Sequence, residues 1–530
     1  WCTISFFSSR NFWFKYWFLI IDFMFNKGYI YRKMALLAMF GTLTLSSCQK
    51  DFIELAPEFT LDADINPSTM EQVEQVLNGA YAGLRAADYY GSGSGTGSVA
   101  GLMPDVLSDN LFETPQSLAN SRAMSQFAFQ INTDQITSFY NAGYKVISSA
   151  NIVLQNVDKF ANANNAKQVN RIKGQALALR ALAHFDMFKY FAESYDRNST
   201  TVLALNYSKT FKVDASAKPA RLTNKAFYDE LLGDLTAAQG FLGNVDNANY
   251  YITGVARPRL SLAAVHLLKA RVYLYAQQYT DAIASATAGI ALAPALTSSQ
   301  TTFSGMYNQS AAGEIIWNVQ FDANQGGPTL LVFFATQNVS YFRPALEIVT
   351  ASGTTGLIRP ADIRYGAYFS NISPMSTLPQ ALALTKYKGK AALSNANANF
   401  IAMKTAELYL IRAEAYAKGS PAQDGLAMND LNAVRTARIA GYVPETLTGA
   451  TLIDAIANER RREFVGEGHR FFDLKRTTRT LTRGSTCGAG PTISPITKCS
   501  LPTTAREWSF PITQDLTNAN NNLQQNPSWR

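Results

Sequence analysis

One stretch constrains what the rest of this chain can fold into: Leu452 to Arg476, reading LIDAIANERRREFVGEGHRFFDLKR. Leu452, Ile456, Glu459 and Glu463 recur at spacings of four, three and four, so they share one face of a helix. An ordinary amphipathic helix would continue that stripe with leucine; this one continues it with two carboxylates. Carboxylates on such a face are either exposed or paired, and Arg460, Arg462 and Arg470 are near enough in sequence to pair them. Gly466 and Gly468 end the helix, one of them suited to a left-handed C-cap. A second short helix is expected from His469 to Arg476, with Phe471 and Leu474 turned inward. An alternation of Glu and Arg this dense invites a catalytic reading. A charge-paired structural knot is commoner, because a buried pair that loses one partner is costly and therefore fixes geometry.

The pattern I-x-x-E-R-x-x-E-F-x-G-E-G-x-R-F-x-D-L-x-R is met by Ile456, Glu459, Arg460, Glu463, Phe464, Gly466, Glu467, Gly468, Arg470, Phe471, Asp473, Leu474 and Arg476. It resembles the signature of the SusD/RagB family, the outer-membrane nutrient-binding lipoproteins of Bacteroidetes. Other segments resemble the family too. Gly174 to Phe185 is similar to its Gly-Glu-Ala-x-x-x-Arg-Ala-x-x-Tyr-Phe run, with Gln175 and His184 departing from it. Met103 to Asn110 resembles its Asp-Asn region. Trp508-Ser-Phe-Pro-Ile512 through Gln525-Asn-Pro-Ser-Trp529 resembles its C-terminus, where a Phe-Pro-Ile strand precedes an Asn-rich ending. With the leader and the central repeats, the resemblance covers essentially the whole mature chain.

Residues 1–48 read as a leader outside the fold. Position 1 is Trp, and Met24 is the better start. Lys27, Arg32 and Lys33 precede the apolar run Met34 to Leu45, which is too short to span a bilayer comfortably and ends in small residues before Cys48. A cysteine at that site points to lipid attachment through Cys48. The Gln49-Lys50-Asp51 that follows resembles the short charged tag that directs such lipoproteins to the cell surface.

The chain carries 47 basic and 39 acidic residues, a net charge of +8. Without the five basic residues and one acid of the leader, 42 face 38, which is near neutral for the size. No Lys/Arg block of the kind nucleic-acid binding needs is present. Beyond the leader the only cysteines are Cys487 and Cys499, twelve apart in a Gly/Pro/Ser/Thr-rich loop. In an exported protein a disulfide is expected there, with two free thiols as the alternative. Two cysteines without a histidine nearby do not make a zinc site.

Helical patterns run from Ser68 to Ala87 with Ser68 as N-cap, from Ile136 to Val157, from Ala166 to Phe191, and around Phe227 to Leu242. Ala270, Tyr273 three on, Ala282 nine further and Pro294 twelve further reproduce tetratricopeptide spacing. Leu408 to Ala417 with Leu431 to Ala437, and the 136–191 helices, look like further such pairs. Gly313 to Phe321 alternates as a strand. The expected fold is mainly α: a tetratricopeptide-like helical-repeat scaffold with long loop and short-strand insertions. A single domain is expected over 49–530. Its scaffold spans about 68–300 and 400–476, a loop- and strand-rich ligand region about 301–400, and a C-terminal segment 477–530.

Candidate chemistry is sparse. His184, His266 and His469 are far apart, and no His-x-x-x-His, Cys-x-x-Cys or Gly-x-Ser-x-Gly occurs. The glycine run Gly91 to Ser98 lacks a phosphate-loop lysine and reads as a flexible surface loop. Recognition remains: aromatic faces for sugar rings, and amides and charges for hydroxyls. The candidates on loops are Tyr89, Tyr90, Asp109, Asn110, Tyr341 and Phe342. The resemblance implies a non-catalytic, cofactor-free surface lipoprotein of the outer membrane. It would bind an oligosaccharide, or a peptide as in some relatives, and pass it to a SusC-like TonB-dependent transporter. A surface glycoside hydrolase and a protein-binding repeat adaptor are the alternatives.

Overall fold

Alanine-rich amphipathic segments fold into a run of helices in which each packs on the next. The computed structural model describes residues 66–530, apart from 94, 213, 215, 247–250, 253, 323–326, 335–338, 373, 388 and 390–397. The leader and Cys48 lie outside the described residues. The principal helices are α1 (Met70–Gly83), α2 (Asp134–Asn156), α3 (Ala166–Phe191), α4 (Asn224–Leu242), α5 (Leu262–Tyr275), α6 (Tyr279–Leu292), α7 (Gln300–Asn308), α8 (Ile363–Tyr368), α9 (Thr405–Lys418), α10 (Asp424–Arg438), α11 (Gly449–Glu463) and α12 (Arg470–Arg476). Helices α1 to α6 pack in sequence order, and α6 then packs on α9, which begins only after a long excursion through 293–404. The pairs α2/α3, α5/α6 and α9/α10 are the repeat hairpins.

Close approach depends on small residues. A Cβ at Gly289 of α6 would sit 2.7 Å from Leu408 Cδ2 of α9, so a larger residue would force the two hairpins apart. One continuous core runs through this array, and a smaller one (Leu410, Leu431, Val434, Leu452, Ile456) joins α9, α10 and α11. No helix among the described residues is long and apolar enough to cross a membrane.

The excursion and the loop after α1 supply short antiparallel strands: β1 (Leu111–Glu113), β2 (Ile315–Val319), β3 (Phe342–Pro344) and β4 (Phe400–Lys404). β1 pairs with β3, setting Leu111 opposite Pro344, and β2 pairs with β4, setting Val319 opposite Phe400. The five residues of β2 are all buried, so its β-branched run is core rather than a half-exposed edge.

Three expectations are corrected. The N-cap of α1 is Thr69, which accepts from Gln72 N at 3.2 Å; Ser68 sits one residue outside and donates its N–H to Gln72 Oε1 at 2.7 Å. The glycine run after Tyr90 is no surface loop. Ser92–Gly93 and Thr96–Gly97 form a tight, mostly buried hairpin, and a Cβ at Gly97 (φ 89°) would fall onto the Ala87 carbonyl oxygen. Phe510-Pro-Ile512 forms no strand. Pro511 has no N–H for a ladder, and Phe510 N donates instead to Tyr190 O near the end of α3, at 2.9 Å. Its ring stacks on Tyr190 at 4.3 Å, and Trp529 packs beside it on Phe129. Cys487 and Cys499 are bonded, with Cα atoms 5.6 Å apart.

Candidate functional site

The face of α11 that carries Leu452 and Ile456 also delivers Glu459 and Glu463 to the interior, where both are fully buried. Glu463 accepts from Arg438 Nη2 and Nε at 3.0 and 3.1 Å and from Arg364 Nη1 at 3.0 Å, and it pairs with Lys404 at 3.1 Å. Glu459 pairs with Arg364 at 2.7 Å, Arg435 at 3.0 Å and Arg462 at 2.9 Å. Arg438 continues to Glu314 at 2.6 Å, and Lys404 and Lys386 share Glu467 at 2.7 and 2.5 Å. Burial alone would raise both carboxyls, but the surrounding cations outweigh it. Glu459 is held down at about 2, and Glu463 well below the usual carboxylate range. Burial lowers Lys386 to about 7 against the pull of Glu467.

Of the three arginines expected to pair these acids, only Arg462 does. Arg460 turns to Asp473 at 3.0 Å, and Arg470 turns to Asp109 at 2.8 Å. A second knot forms where Arg476 bridges Asp473 and Glu414 at 2.8 and 2.6 Å. The main partners Arg364, Arg435, Arg438 and Lys404 come from α8, α10 and β4, with no local signal in the Leu452–Arg476 stretch. Gly466 and Gly468 both adopt left-handed backbones (φ 72° and 77°), and their N–H groups donate to Asp105 at 3.0 and 2.8 Å. Asp105 also accepts from Asn110 Nδ2 at 2.7 Å. Burial nevertheless raises it to about 6.

The six loop candidates all lie inside the fold. Tyr90 and Tyr89 donate to Asp186 Oδ2 on α3 at 2.7 and 3.2 Å. Asp109 is clamped by Arg470 and Arg461, the latter at 3.1 Å, and Asn110 accepts from Arg461 Nε at 3.0 Å. Tyr341 is tied through its backbone N–H to Val332 O at 2.9 Å, and Phe342 pairs opposite Glu113 in β3. In this conformation they brace the interior and form no open shelf. His184 is likewise internal. Its Nδ1 donates to Arg180 O at 2.8 Å, Nε2 accepts from Ser208 N at 3.0 Å, and burial lowers it to about 3.

Among the described residues, two of the concavities open to solvent have room for a small ligand. A cleft of about 320 Å³ lies between α1 and β2, where half-buried Tyr81 sits among Asn78, Arg85, Gln320 and Asp322, with Trp317 behind. Arg259 lies 4.4 Å over the Tyr81 ring, and Arg85 pairs with Asp322 across the cleft. A cavity of about 560 Å³ lies where the turn after α5 meets the ends of α3 and α12. Both fall in the range of roughly 300–1,000 Å³ typical of small-molecule sites. Among the described residues no group of three or more His, Cys, Asp or Glu is arranged to hold a metal.

Fold and site together define a helical-repeat protein with a charge-locked interior and polar clefts that hold aromatic side chains. Residues 371–529 match the model described as the SusD family, and residues 51–274 match the one described as "Starch-binding associating with outer membrane". The chain belongs to the SusD/RagB family. It is 24% identical over 497 residues to a SusD-like protein of Formosa agariphila, covering 82% of this chain and 89% of that one. It shares its fold with a putative sugar binding protein from Bacteroides vulgatus (TM-score 0.73, 22% identity), covering 88% of this chain and all of that one. A SusD superfamily protein from Bacteroides thetaiotaomicron is similar to the same degree (0.73, 22%), over 87% of this chain and all of that one.

Proposed function

We propose that this protein is a non-catalytic glycan receptor of the outer membrane, anchored through Cys48, that hands its ligand to a SusC-like TonB-dependent transporter. The observation that carries the reading is the match of both halves of the chain to family models, one of them described as starch-binding and outer-membrane-associated. The binding site is the cleft at Tyr81. Half-buried Tyr81 supplies apolar surface for sugar C–H groups, with fully buried Trp317 backing the cleft, and Asn78, Gln320, Arg85 and Asp322 supply donors and acceptors for hydroxyls.

The enzyme alternative loses its best acid pair. A glycosidase general acid needs a raised pKa, whereas Glu459 and Glu463 are buried and held ionised by arginines. The test is calorimetric titration of the full chain with malto-, laminari-, xylo- and cello-hexaose and with a tryptic peptide pool. Saturable binding to one glycan, weakened in Arg85→Ala and Gln320→Ala, is expected. Binding confined to peptides, or hydrolysis of the glycan, would overturn the reading.

A further inference from the structure

Helices commonly close with a left-handed residue after the cap, and that residue is usually glycine because a Cβ is strained there. Among the described residues four helices close that way without glycine: Phe127 (φ 55°) follows Arg122–Ser125, Gln309 (φ 63°) follows α7, and the other two, after α5 and α12, face one cavity. After α5, Gln277 (φ 56°) donates its N–H to Leu274 O at 3.2 Å, and Gln278 N reaches back to Tyr273 O at 2.9 Å. After α12, Thr478 (φ 51°) and Arg479 make the same two bonds, to Lys475 O at 3.1 Å and Leu474 O at 3.0 Å. Gln277 and Thr478 both line the cavity of about 560 Å³, and both are exposed within the fold's surface. Phe127 spends its side chain in the core against Phe471, whereas Gln277 and Thr478 are exposed on the cavity wall, where glycine would close either turn at lower cost but offer no hydrogen-bonding group.

The walls fit a particular chemistry. Arg197 and Asn198 offer donors, and Gln278 adds an amide whose shielded oxygen has no partner among the described residues. Trp508 supplies apolar surface, its ring held in place by stacking on Phe471 at 5.0 Å. Three of the four cations in the lining are paired with acids, and Glu193 and Asp196 add two carboxylates to the same wall. Arg197 pairs with Asp229, Arg479 pairs with Asp454 at 2.6 Å, Arg476 lies in the second knot, and Lys475 donates to two carbonyls. With Lys475 spent on carbonyls and two carboxylates in the wall, nothing there calls for an anion. Mixed donors and acceptors beside an indole call for hydroxyls.

We propose that this cavity is a second saccharide site, separate from the cleft at Tyr81, which takes a short neutral oligosaccharide through Gln277, Thr478 and Asn198. The choice of a saccharide rests on the glycan-receptor reading. The experiment titrates the full chain with maltotriose and with the hexaose that binds best, and soaks crystals in the same sugars. It compares wild type, Gln277→Gly, Thr478→Gly and the cleft variant Arg85→Ala. The glycine variants relieve strain, so their melting temperature should hold or rise. Each should nevertheless lose sugar affinity at the cavity by roughly threefold to tenfold, the worth of one hydrogen bond. Arg85→Ala should leave density in the cavity intact.

Glycine variants that gain stability and bind as wild type would reduce both residues to unusual caps and overturn the proposal. A sugar that fills the cleft and never the cavity overturns this inference alone. A chain that binds no saccharide at either place overturns the receptor reading with it.

Discussion

Replacing Glu463 with glutamine keeps the side chain's size and one acceptor oxygen but removes one negative charge from the centre of the knot. Arg438, Arg364 and Lys404 would then face each other with only Glu459, Asp362, Glu314 and Glu467 to offset them. Breaking a buried ion pair from one side costs about 3–5 kcal/mol, because the orphaned charge stays out of water. Residues 66–530 form one compact unit. For a unit of that size unfolding entropy amounts to about 1 kcal/mol per degree, so Glu463→Gln should lower the melting temperature by about 3–5 °C. The assay is calorimetry of wild type, Glu463→Gln, Arg438→Leu and the double variant. The double should lie clearly above the sum of the singles, because removing both charges leaves less to solvate. A shift under about 1 °C, or strict additivity, would refute the claim that ionised pairs hold α11 against α10 and the 293–404 excursion.

Acid should act on the same knot. Glu459 sits at about 2 when folded, against 4.5 for an ordinary glutamate. Its contribution is therefore present above pH 4.5 and lost as pH falls through 2, worth up to about 3 kcal/mol. Urea midpoints measured from pH 6 to 2.5 should fall, and Glu459→Gln should flatten that slope; an unchanged slope would count against the pairing. Asp105 runs the other way. Raised to about 6, it favours the protonated folded state, so Asp105→Asn should gain relative to wild type as pH rises from 4 to 7. Gly468→Ala should be far worse than Gly466→Ala, by 2 kcal/mol or more on the order of buried backbone clashes. At position 468 the new Cβ meets the Gly101 carbonyl, while at 466 it meets the flexible tip of Leu384 at 3.1 Å; equal melting temperatures would contradict this. Reducing the Cys487–Cys499 bond, which closes a loop of sequence separation 12, should cost about 2–3 kcal/mol, read as a lower midpoint in dithiothreitol that Cys487→Ser reproduces.

The scaffold was legible in the sequence because its cause is local. Ala166 to Phe191 is bounded as its periodicity implies, and the spacing from Ala270 to Pro294 marks α5 and α6 and their turn. Hairpins made of consecutive residues need only small side chains at the right intervals. The charge knot was half legible. That Glu459 and Glu463 could not lie on an apolar face without partners follows from their spacing, but the partners do not. Arg364 and Arg438 reach α11 from other parts of the chain, and nothing at their own positions marks them as buried.

The loop candidates misled for a related physical reason. Tyr89 and Tyr90 precede a run of glycines, and glycine is equally the residue of mobile loops and of backbone pressed against backbone. Composition cannot separate the two. Only the carbonyls of Arg85, Ala86 and Ala87, on which Cβ atoms at Gly91 and Gly97 would fall, show that the run is packed. The open sites lie instead where elements remote in sequence meet, α1 against β2 and the ends of α3, α5 and α12. In a repeat scaffold the side chains within a hairpin are used up by packing. Concave polar surface is left at junctions, where an inserted segment or a helix end fails to continue the array. On the proposals made above, ligand specificity in such a chain would be set by residues that follow no period, Arg85, Gln320, Gln277 and Thr478 among them. Changing these should move binding without moving the fold, whereas changing Glu463 or Gly468 should do the reverse.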